Sequence, residues 1–267
     1  MAGLWRRLRR GRGFLRSLLT YHKPGRRRRL TRLYAPFVQE GGLCFDVGAH
    51  VGDRSAALHA LGSRVVAVEP QPDFAAFLRR VFRRRPGVVV EEAAVAAVPG
   101  WLDLFVSDAH PTVTTGSKAF LAAVAAVPSF GAVRWDGRRR VPATTLDLLI
   151  ARHGAPDFVK LDVEGMEAEA LKGLTSAVPA LSFEFIPGNK AASEACLEEL
   201  DRLGPYRFNA ALGETGRLVF KDWRDRAGIA AWLAGHPADG PSGDVYAVLG
   251  AAGHEGQEHF RDPEQSL

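Results

Sequence analysis

Two apolar runs that each finish near an acidic residue constrain the fold of this chain more than any other feature of its sequence. The first run, residues 43–47, contains Asp46 and is followed by a turn with two glycines and then by a helical pattern. The second run, residues 64–68, is followed directly by Glu69. A buried strand, a glycine turn, a helix and a second buried strand form a β-α-β unit, so the sequence predicts an α/β fold with a parallel sheet.

The glycine turn is predicted to hold a nucleoside-like ligand. Gly48 and Gly52 lack a Cβ atom, which permits a positive φ angle and a close approach of a ligand to the backbone. Glu69 lies 23 residues after Asp46, where a carboxylate at the tip of the neighbouring strand can accept hydrogen bonds from both ribose hydroxyls. The turn lacks the G-x-G-x-x-G pattern that places a pyrophosphate at a helix end, so a ligand with ribose but without pyrophosphate fits better.

Asp46 adds an argument from charge. Its carboxylate would repel a phosphate but would attract a cationic group, such as the ammonium or sulfonium of S-adenosylmethionine. The alternative is an ordinary α/β turn in which Asp46 and Glu69 only cap helices. The strand tip at residues 92–95 is expected to lie near an adenine ring. The predicted cofactor-binding residues are Asp46, Val47, Gly48, Ala49, Gly52, Glu69, Pro70, Ala94 and Asp162.

A second charged stretch, residues 157–167, also points to the edge of the sheet. In a strand, Lys160, Asp162 and Glu164 project to one side because side chains alternate. A central parallel strand is normally apolar on both faces, so three charges near its carboxyl end are costly unless they are paired or serve a site. Open α/β sheets bind ligands at that edge. The alternative is a Lys160–Asp162 ion pair, with Glu164 and Glu167 favouring the N-terminus of the next helix.

The first 39 residues carry a concentrated positive charge. They contain eleven Arg and one Lys without any Asp or Glu, so the net charge of +5 for the whole chain leaves −7 for the remainder. Such an arm favours an anionic partner, for example a phospholipid surface, a nucleic acid or a polyanionic glycan. Its leucines and aromatic residues fit a helix at a membrane interface, and a solvated basic tail is the alternative. No nucleic-acid-binding module follows, so no nucleic acid is expected.

The domain organisation follows from these patterns. We predict a basic arm over residues 1–39, amphipathic or disordered, one α/β domain over residues 40–250, and a disordered tail over residues 251–267. Residues 107–141 break the alternation of strands and helices and are assigned to the acceptor side as an insertion. Three polar residues of this insertion are interpreted as ordinary surface rather than as substrate contacts: His110, Thr112 and Thr115.

The sequence predicts a cytoplasmic protein, with peripheral membrane contact through the arm as an extension of that prediction. Cys44 and Cys196 have no metal-ligand spacing, which indicates a reducing compartment. No apolar run reaches the length of a transmembrane helix, and Arg16 interrupts the N-terminal apolar stretch before a signal peptide can form. The oligomeric state stays open.

Four blocks of sequence resemble the FkbM-type family of S-adenosylmethionine-dependent methyltransferases. In the order of that family they are Phe45-Asp46-Val47-Gly48-Ala49-His50-Val51-Gly52, Val68-Glu69-Pro70, Thr145-Leu146-Asp147, and Phe158-Val159-Lys160-Leu161-Asp162-Val163-Glu164-Gly165 with Leu171-Lys172-Gly173. The resemblance covers roughly residues 40–210, and the Lys-x-Asp-x-Glu-Gly block with the later Phe183-Glu184 is its most specific part. It implies a Rossmann-like class I methyltransferase with a seven-stranded, mostly parallel sheet, helices on both faces and an antiparallel last strand. It also implies O-methylation of a hydroxyl on a sugar, a glycan or a natural-product scaffold.

A hydroxyl acceptor benefits from a base that takes its proton. Glu184 is one candidate, because it stands inside the apolar run 181–186 and its charge needs a partner. His50 is another, because imidazole titrates nearest to neutrality, and Lys160 can orient Asp162 or polarise the acceptor oxygen. The predicted catalytic residues are Asp162, Lys160, Glu164, Glu184 and His50.

Other interpretations stay open at this point. A divalent cation between Asp162 and Glu184 is an option that no spacing requires. A nicotinamide-dependent oxidoreductase would explain Glu69 and the sheet but not the missing pyrophosphate pattern. A non-catalytic membrane- or glycan-associated factor that kept the fold would explain the basic arm.

Overall fold

The computed structural model describes residues 11, 13, 14, 16–19, 21, 23, 25–125, 127, 130–213 and 215–250, and the described residues between 11 and 21 are helical. The helices after them are α1 (Arg26–Tyr34), α2 (Asp53–Ala60), α3 (Pro72–Phe82), α4 (Lys118–Val124), α5 (Leu146–His153), α6 (Glu167–Lys172), α7 (Lys190–Leu203) and α8 (Arg226–Gly235), with 3-10 turns at Ala35–Phe37 and Pro111–Val113. The strands are β1 (Leu43–Val47), β2 (Arg64–Val68), β3 (Val88–Glu91), β4 (Ala94–Val95), β5 (Gly100–Val106), β6 (Gly137–Thr144), β7 (Phe158–Leu161), β8 (Ala180–Phe185), β9 (Tyr206–Leu212) and β10 (Gly243–Leu249).

Seven of these strands form one sheet in the order β3-β2-β1-β7-β8-β10-β9. β1 pairs in parallel with β2 and β7, β2 with β3, and β7 with β8, whereas β10 lies antiparallel between β8 and β9. This confirms the predicted α/β class, with its mostly parallel sheet and antiparallel last strand. The carboxyl ends of β1, β2, β7 and β8 therefore meet at one edge, where open α/β sheets bind their ligands.

Helices cover both faces of this sheet, and each face carries its own apolar cluster. One cluster joins β1, β7 and β8 to α5, α6, α7 and α8. The opposite cluster joins β1, β7 and β10 to α1 and α2. On β1, Phe45 belongs to the first cluster and Cys44 to the second, as expected when successive strand residues point to opposite faces.

A second sheet of three strands, in the order β4-β6-β5, differs from the sequence interpretation. β6 begins at Gly137 and pairs with β5 along its whole length, whereas the sequence pattern placed residues 137–141 in an irregular insertion. The guanidinium groups of Arg138 and Arg140 lie over the rings of Phe105 and Trp101, 4.9 and 5.7 Å from the ring centroids. A strand can contain arginines whose aliphatic stems cover aromatic rings. In the sequence, however, a run of arginines hides the alternation of apolar and polar residues by which a strand is recognised.

The folded domain begins earlier than the boundary predicted at residue 40. α1 buries Leu30, Leu33 and Tyr34 in the apolar cluster on its face of the sheet. Phe37 stacks on the rings of Phe158 and Tyr246, with centroid distances of 5.4 and 5.2 Å. The segment from α1 to Phe37 is thus part of the domain core rather than a detached arm.

The described residues before α1 also contact the domain. Phe14 packs against Phe74 and Phe77 of α3, with both centroid distances 5.0 Å. Membrane contact of the basic segment stays a prediction. The side chain of Phe14, however, packs against α3. Residues 1–10 of the predicted arm and the predicted tail at 251–267 lie outside the described residues. None of the helices in the described part of the chain has the length and apolar character needed to cross a membrane.

Truncation of Phe37 tests whether this segment belongs to the core. We expect Phe37→Ala to lower the free energy of unfolding by about 3–5 kcal/mol, because it removes a buried ring that stacks on two other buried aromatic residues. Val81→Ala is the control, since Val81 is 40% exposed on α3 and its truncation should change stability by no more than about 0.5 kcal/mol. Urea unfolding followed by circular dichroism measures both. Equal effects of the two substitutions would contradict the core assignment.

Candidate functional site

A cleft opens at the edge of the sheet where β1, β2 and β7 end. Its wall combines the glycine turn after β1, the residues after β2, strands β4 and β5, the segment around the 3-10 turn at 111–113, and the residues after β7. The lining residues are Val47, Gly48, His50, Val68, Glu69, Pro70, Gln71, Ala93, Ala94, Val95, Leu102, Leu104, Pro111, Thr112, Thr114, Gly116, Asp162, Val163, Glu164 and Met166. A mostly apolar cleft with a few converging polar groups is the usual form of a small-molecule site.

The glycine turn is locked to both neighbouring strands. Gly48 has a φ angle of 86°, and a Cβ atom there would collide with the carbonyl oxygen of Asp162. The N–H groups of Gly48 and Ala49 both donate to the carbonyl of Val68, at 2.9 and 3.0 Å. The sequence analysis expected Gly48 to make room for a ligand, but the space it leaves is filled by the backbone that follows β7.

Glu69 is the most strongly oriented carboxyl group of the cleft. Its Oε2 accepts a hydrogen bond from the backbone N–H of His50 at 2.9 Å, and its Oε1 accepts one from the backbone N–H of Gln71 at 2.8 Å. Burial raises the pKa of Glu69 to about 7, although these two hydrogen bonds oppose the shift. Each oxygen keeps a further lone pair, so this fixed carboxyl can accept hydrogen bonds from a pair of hydroxyl groups.

His50 lies in the cleft as a neutral, packed imidazole. Its ring contacts Phe74 at a centroid distance of 4.4 Å and meets the edge of Tyr21 at 5.5 Å. Burial lowers the pKa of His50 to about 4, which makes it a weak base at neutral pH. Its Nε2 has no hydrogen-bond partner among the described residues. This nitrogen can therefore accept or donate one hydrogen bond to a ligand in the cleft.

Asp46 lies outside the cleft, in contrast to its predicted contact with a cofactor. Its side chain is fully buried, and it accepts a hydrogen bond from the hydroxyl of Ser55 on α2. Burial raises the pKa of Asp46 to about 6. Of the other predicted cofactor residues, Val47, Gly48, Glu69, Pro70, Ala94 and Asp162 line the cleft, whereas Ala49 and Gly52 belong to the turn but do not line the cleft.

Lys160 is the centre of a buried ionic group below the cleft. Its Nζ donates to Oδ1 of Asp244 on β10 and to the carbonyl of Leu161, both at 2.9 Å, and lies 3.5 Å from Oδ2 of Asp162. Burial opposes the charge of Lys160, yet Asp162 and Asp244 hold its pKa above the ordinary value. Arg54 adds a second cation 3.3 Å from Asp162. The Lys160–Asp162 ion pair, which was the structural alternative in the sequence analysis, is therefore present. Arg54 and Asp244 belong to the same ionic group, and neither was singled out from the sequence.

The pKa values of three acids near this group are shifted in opposite directions. Burial would raise the pKa of Asp162, but Lys160 and Arg54 hold it below its usual range. Burial, reinforced by neighbouring carboxylates, raises the pKa values of Glu164 and Glu184 well above normal. One carboxylate oxygen from each of Asp162, Glu164 and Glu184 lies within 4.8 Å of the others. Such a cluster can hold a proton or, through its oxygen atoms, a divalent cation.

Two further residues hold the acidic turn in shape. Oε1 of Glu167 accepts hydrogen bonds from the backbone N–H groups of Val163 and Gly165, at 2.9 and 3.2 Å. The hydroxyl of Thr115 donates to the carbonyl of Glu164 at 2.7 Å, which fastens the insertion to the end of β7. Thr115 thus has a structural contact, while Thr112 and the unforeseen Thr114 line the cleft and His110 does not.

Comparison with known proteins gives one family and several relatives. The family described as the methyltransferase FkbM domain matches residues 46–201. The hexuronic acid methyltransferase AglP of Haloferax volcanii is 27% identical over 157 residues, which cover 58% of this chain and 59% of that protein. The chain therefore matches less than two thirds of that relative.

Solved structures resemble this chain at low sequence identity. The precorrin-6y C5,15-methyltransferase of Geobacter metallireducens has a TM-score of 0.44 and 15% identity, over 83% of this chain and 86% of that one. The O-methyltransferase of Bacillus cereus, solved with SAH, has a TM-score of 0.44 and 13% identity, over 85% of this chain and 82% of that one.

Replacement of Lys160 tests the buried ionic group. We expect Lys160→Met to cost about 3–5 kcal/mol in the free energy of unfolding, because it leaves Asp244 without its ammonium partner in a buried setting. Lys172→Met is the matched control, since Lys172 pairs with Glu169 on the surface and such pairs contribute about 0–1 kcal/mol. Chemical unfolding of both variants at neutral pH gives the comparison. A Lys160 variant as stable as the control would show that the buried pair does not hold these strands.

Proposed function

This chain belongs to the methyltransferase FkbM domain family, and we propose that it transfers a methyl group from S-adenosylmethionine to a hydroxyl group of a sugar or glycan. The match covers residues 46–201, which include the end of β1, all of β2, β7 and β8, and the polar groups at the carboxyl ends of these strands. The name of the Haloferax volcanii relative, a hexuronic acid methyltransferase, supports a sugar as the acceptor.

The observation that carries this proposal is the fixed carboxyl of Glu69. Two backbone N–H groups orient it, as a ribose with two neighbouring hydroxyls requires. Ala93, Ala94 and Val95 give the cleft an apolar wall on one side, which fits an adenine ring. The orphaned Nε2 of His50 is a further polar group in the wall. These residues fit the nucleoside part of S-adenosylmethionine, which when bound supplies an activated methyl group.

The acidic residues after β7 lie on the side of the cleft that is proposed to bind the methyl acceptor. Asp162 and Glu164 both line the cleft. Ionised Asp162 accepts a hydrogen bond from the acceptor hydroxyl and so orients its oxygen. Burial and neighbouring carboxylates raise the pKa values of Glu164 and Glu184, so an ionised carboxylate at either position is a stronger base than an ordinary glutamate. An ionised Glu164, which lines the cleft, accepts the proton that the hydroxyl loses, and His50 is the weaker choice of base because its pKa is low.

Cofactor binding can be tested by calorimetric titration with S-adenosylhomocysteine and, in parallel, with NAD. We expect micromolar binding of S-adenosylhomocysteine, about −8 kcal/mol. Glu69→Ala should weaken it by roughly 10- to 100-fold, because charge-assisted hydrogen bonds to the ribose are lost. Glu194→Ala is the control, since Glu194 pairs with Arg226 on the surface and lies outside the cleft lining. The affinity of this variant for S-adenosylhomocysteine should match that of the unchanged protein.

The pH dependence of the same titration adds a second readout. An ionised Glu69 accepts hydrogen bonds more strongly than a protonated one, so affinity should increase as the pH rises through about 7 and stay flat in Glu69→Ala. Binding of NAD in place of S-adenosylhomocysteine would favour the oxidoreductase. A folded protein that binds neither ligand would favour a non-catalytic factor.

A divalent cation is the competing occupant of the acidic cluster. Lys160 and Arg54 already lie 3.5 and 3.3 Å from Asp162, and these cations oppose a metal ion by charge repulsion. We therefore expect no binding of Mg²⁺ or Mn²⁺ tighter than about 1 mM, or −4 kcal/mol, in titrations of chelator-treated protein. Tighter binding that is lost in Glu184→Gln would instead assign Asp162, Glu164 and Glu184 to a cation.

A further inference from the structure

A second cleft lies next to the first, on the face of the sheet that α1 and α2 cover. Its lining includes Arg26 and Arg29 from α1, Arg54 from α2, and Asp244 from β10. Arg54 is also the ion-pair partner of Asp162, which lines the first cleft. The Arg54–Asp162 ion pair therefore links the lining of one cleft to the lining of the other.

Most of the charged side chains around this second cleft are held in ion pairs, and Arg29 is the exception among those that line it. Arg26 donates from its Nε to Oδ2 of Asp53 at 2.7 Å, Arg54 faces Asp162, and Asp244 faces Lys160. Arg29 makes no salt bridge within the part of the chain that the structure describes. The positive charge of Arg29 is therefore not offset by an ion pair there, and it attracts an anion to the cleft.

The guanidinium groups also retain donors that can reach a ligand. The buried Nε of Arg54 has no hydrogen-bond partner among the described residues, although a buried donor without a partner is costly. The Arg29 side chain is exposed at the cleft, and its backbone packs closely against Gly216, where an added Cβ would lie 3.1 Å from the Arg29 carbonyl oxygen. Arginine presents several donors in a fixed plane that match the oxygens of a carboxylate or phosphate.

We infer that the second cleft is an anion subsite, in which Arg29 and Arg54 bind a carboxylate or phosphate group of the methyl acceptor. This inference rests on the proposed function, because the subsite is placed beside the acidic cluster that faces the acceptor hydroxyl. It also gives the N-terminal basic segment a role inside the site. Arg26 and Arg29 come from the stretch for which the sequence predicted an anionic partner, such as a phospholipid surface or a polyanionic glycan.

Titration with small sugars tests the subsite directly. The probes are D-glucuronate, glucose 6-phosphate and neutral D-glucose, each added to the protein alone and to protein saturated with S-adenosylhomocysteine. We expect the anionic sugars to bind and glucose not to bind. The tighter of the two anions identifies whether the subsite suits a carboxylate or a phosphate, and either preference supports it.

Substitutions on α1 separate a specific contact from a general positive field. Arg29→Gln should weaken binding of the preferred anion about tenfold, because a charge-assisted contact is lost. Arg28→Gln removes the same charge one residue away, at an exposed position of α1 outside the cleft lining, and should change binding less than about twofold. Equal losses in the two variants, equal binding of glucose, or no binding of either anion would each overturn the subsite.

The same titrations distinguish failure of the subsite from failure of the proposed function. If S-adenosylhomocysteine binds but neither anionic sugar does, the methyltransferase proposal stands and the anion subsite is wrong. If the anions bind in an Arg29-dependent manner and S-adenosylhomocysteine does not bind, the anion site stands and the methyltransferase proposal is wrong.

Discussion

The buried ammonium of Lys160 is the interaction on which the rest of the site depends. It ties β7 to β10 through Asp244 and neutralises Asp162, at the point where β7 leaves the sheet. The carbonyl of Asp162 in turn fills the space beside Gly48, so the end of β7 and the glycine turn after β1 fit only as a pair. A charge placed in the middle of a parallel sheet is costly. Here the charge of Lys160 fixes the two loops that form the cleft, namely the glycine turn after β1 and the residues after β7.

Much of the fold and of the cleft wall around Glu69 could be predicted from the sequence, because the signals there are local. β1, β2 and β7 are short apolar runs, and the residues at their carboxyl ends must meet in a parallel sheet. Glu69 was predicted to bind the ribose of a cofactor; the structure places it in the cleft wall, and its contact with a ribose stays a prediction. Asp46 was the exception. Asp46 is also acidic and close to a strand end, but its side chain points to the face covered by α2. One of its carboxylate oxygens accepts a hydrogen bond from Ser55 there, and the other has no partner among the described residues.

The parts that could not be predicted depend on contacts between distant segments. Asp244 reaches Lys160 only because β10 inserts antiparallel next to β8, and no local pattern encodes that pairing. The arginines of α1 suggested a free arm, because the sequence does not show that Leu30, Tyr34 and Phe37 pack against β7 and β10. The arginines of β6 concealed a strand in the same way. In both segments, long cationic side chains lie over buried or aromatic neighbours.

The most direct test of the account is a crystal structure of the protein with S-adenosylhomocysteine. The account predicts that the ribose hydroxyls lie within hydrogen-bond distance of the Glu69 carboxylate and that the sulfur faces Asp162 and Glu164. It also predicts that Lys160 keeps its contacts with Asp162 and Asp244. A ligand bound elsewhere, or one in this cleft with its ribose away from Glu69, would contradict the central claim that these strand ends form the methyl-transfer site.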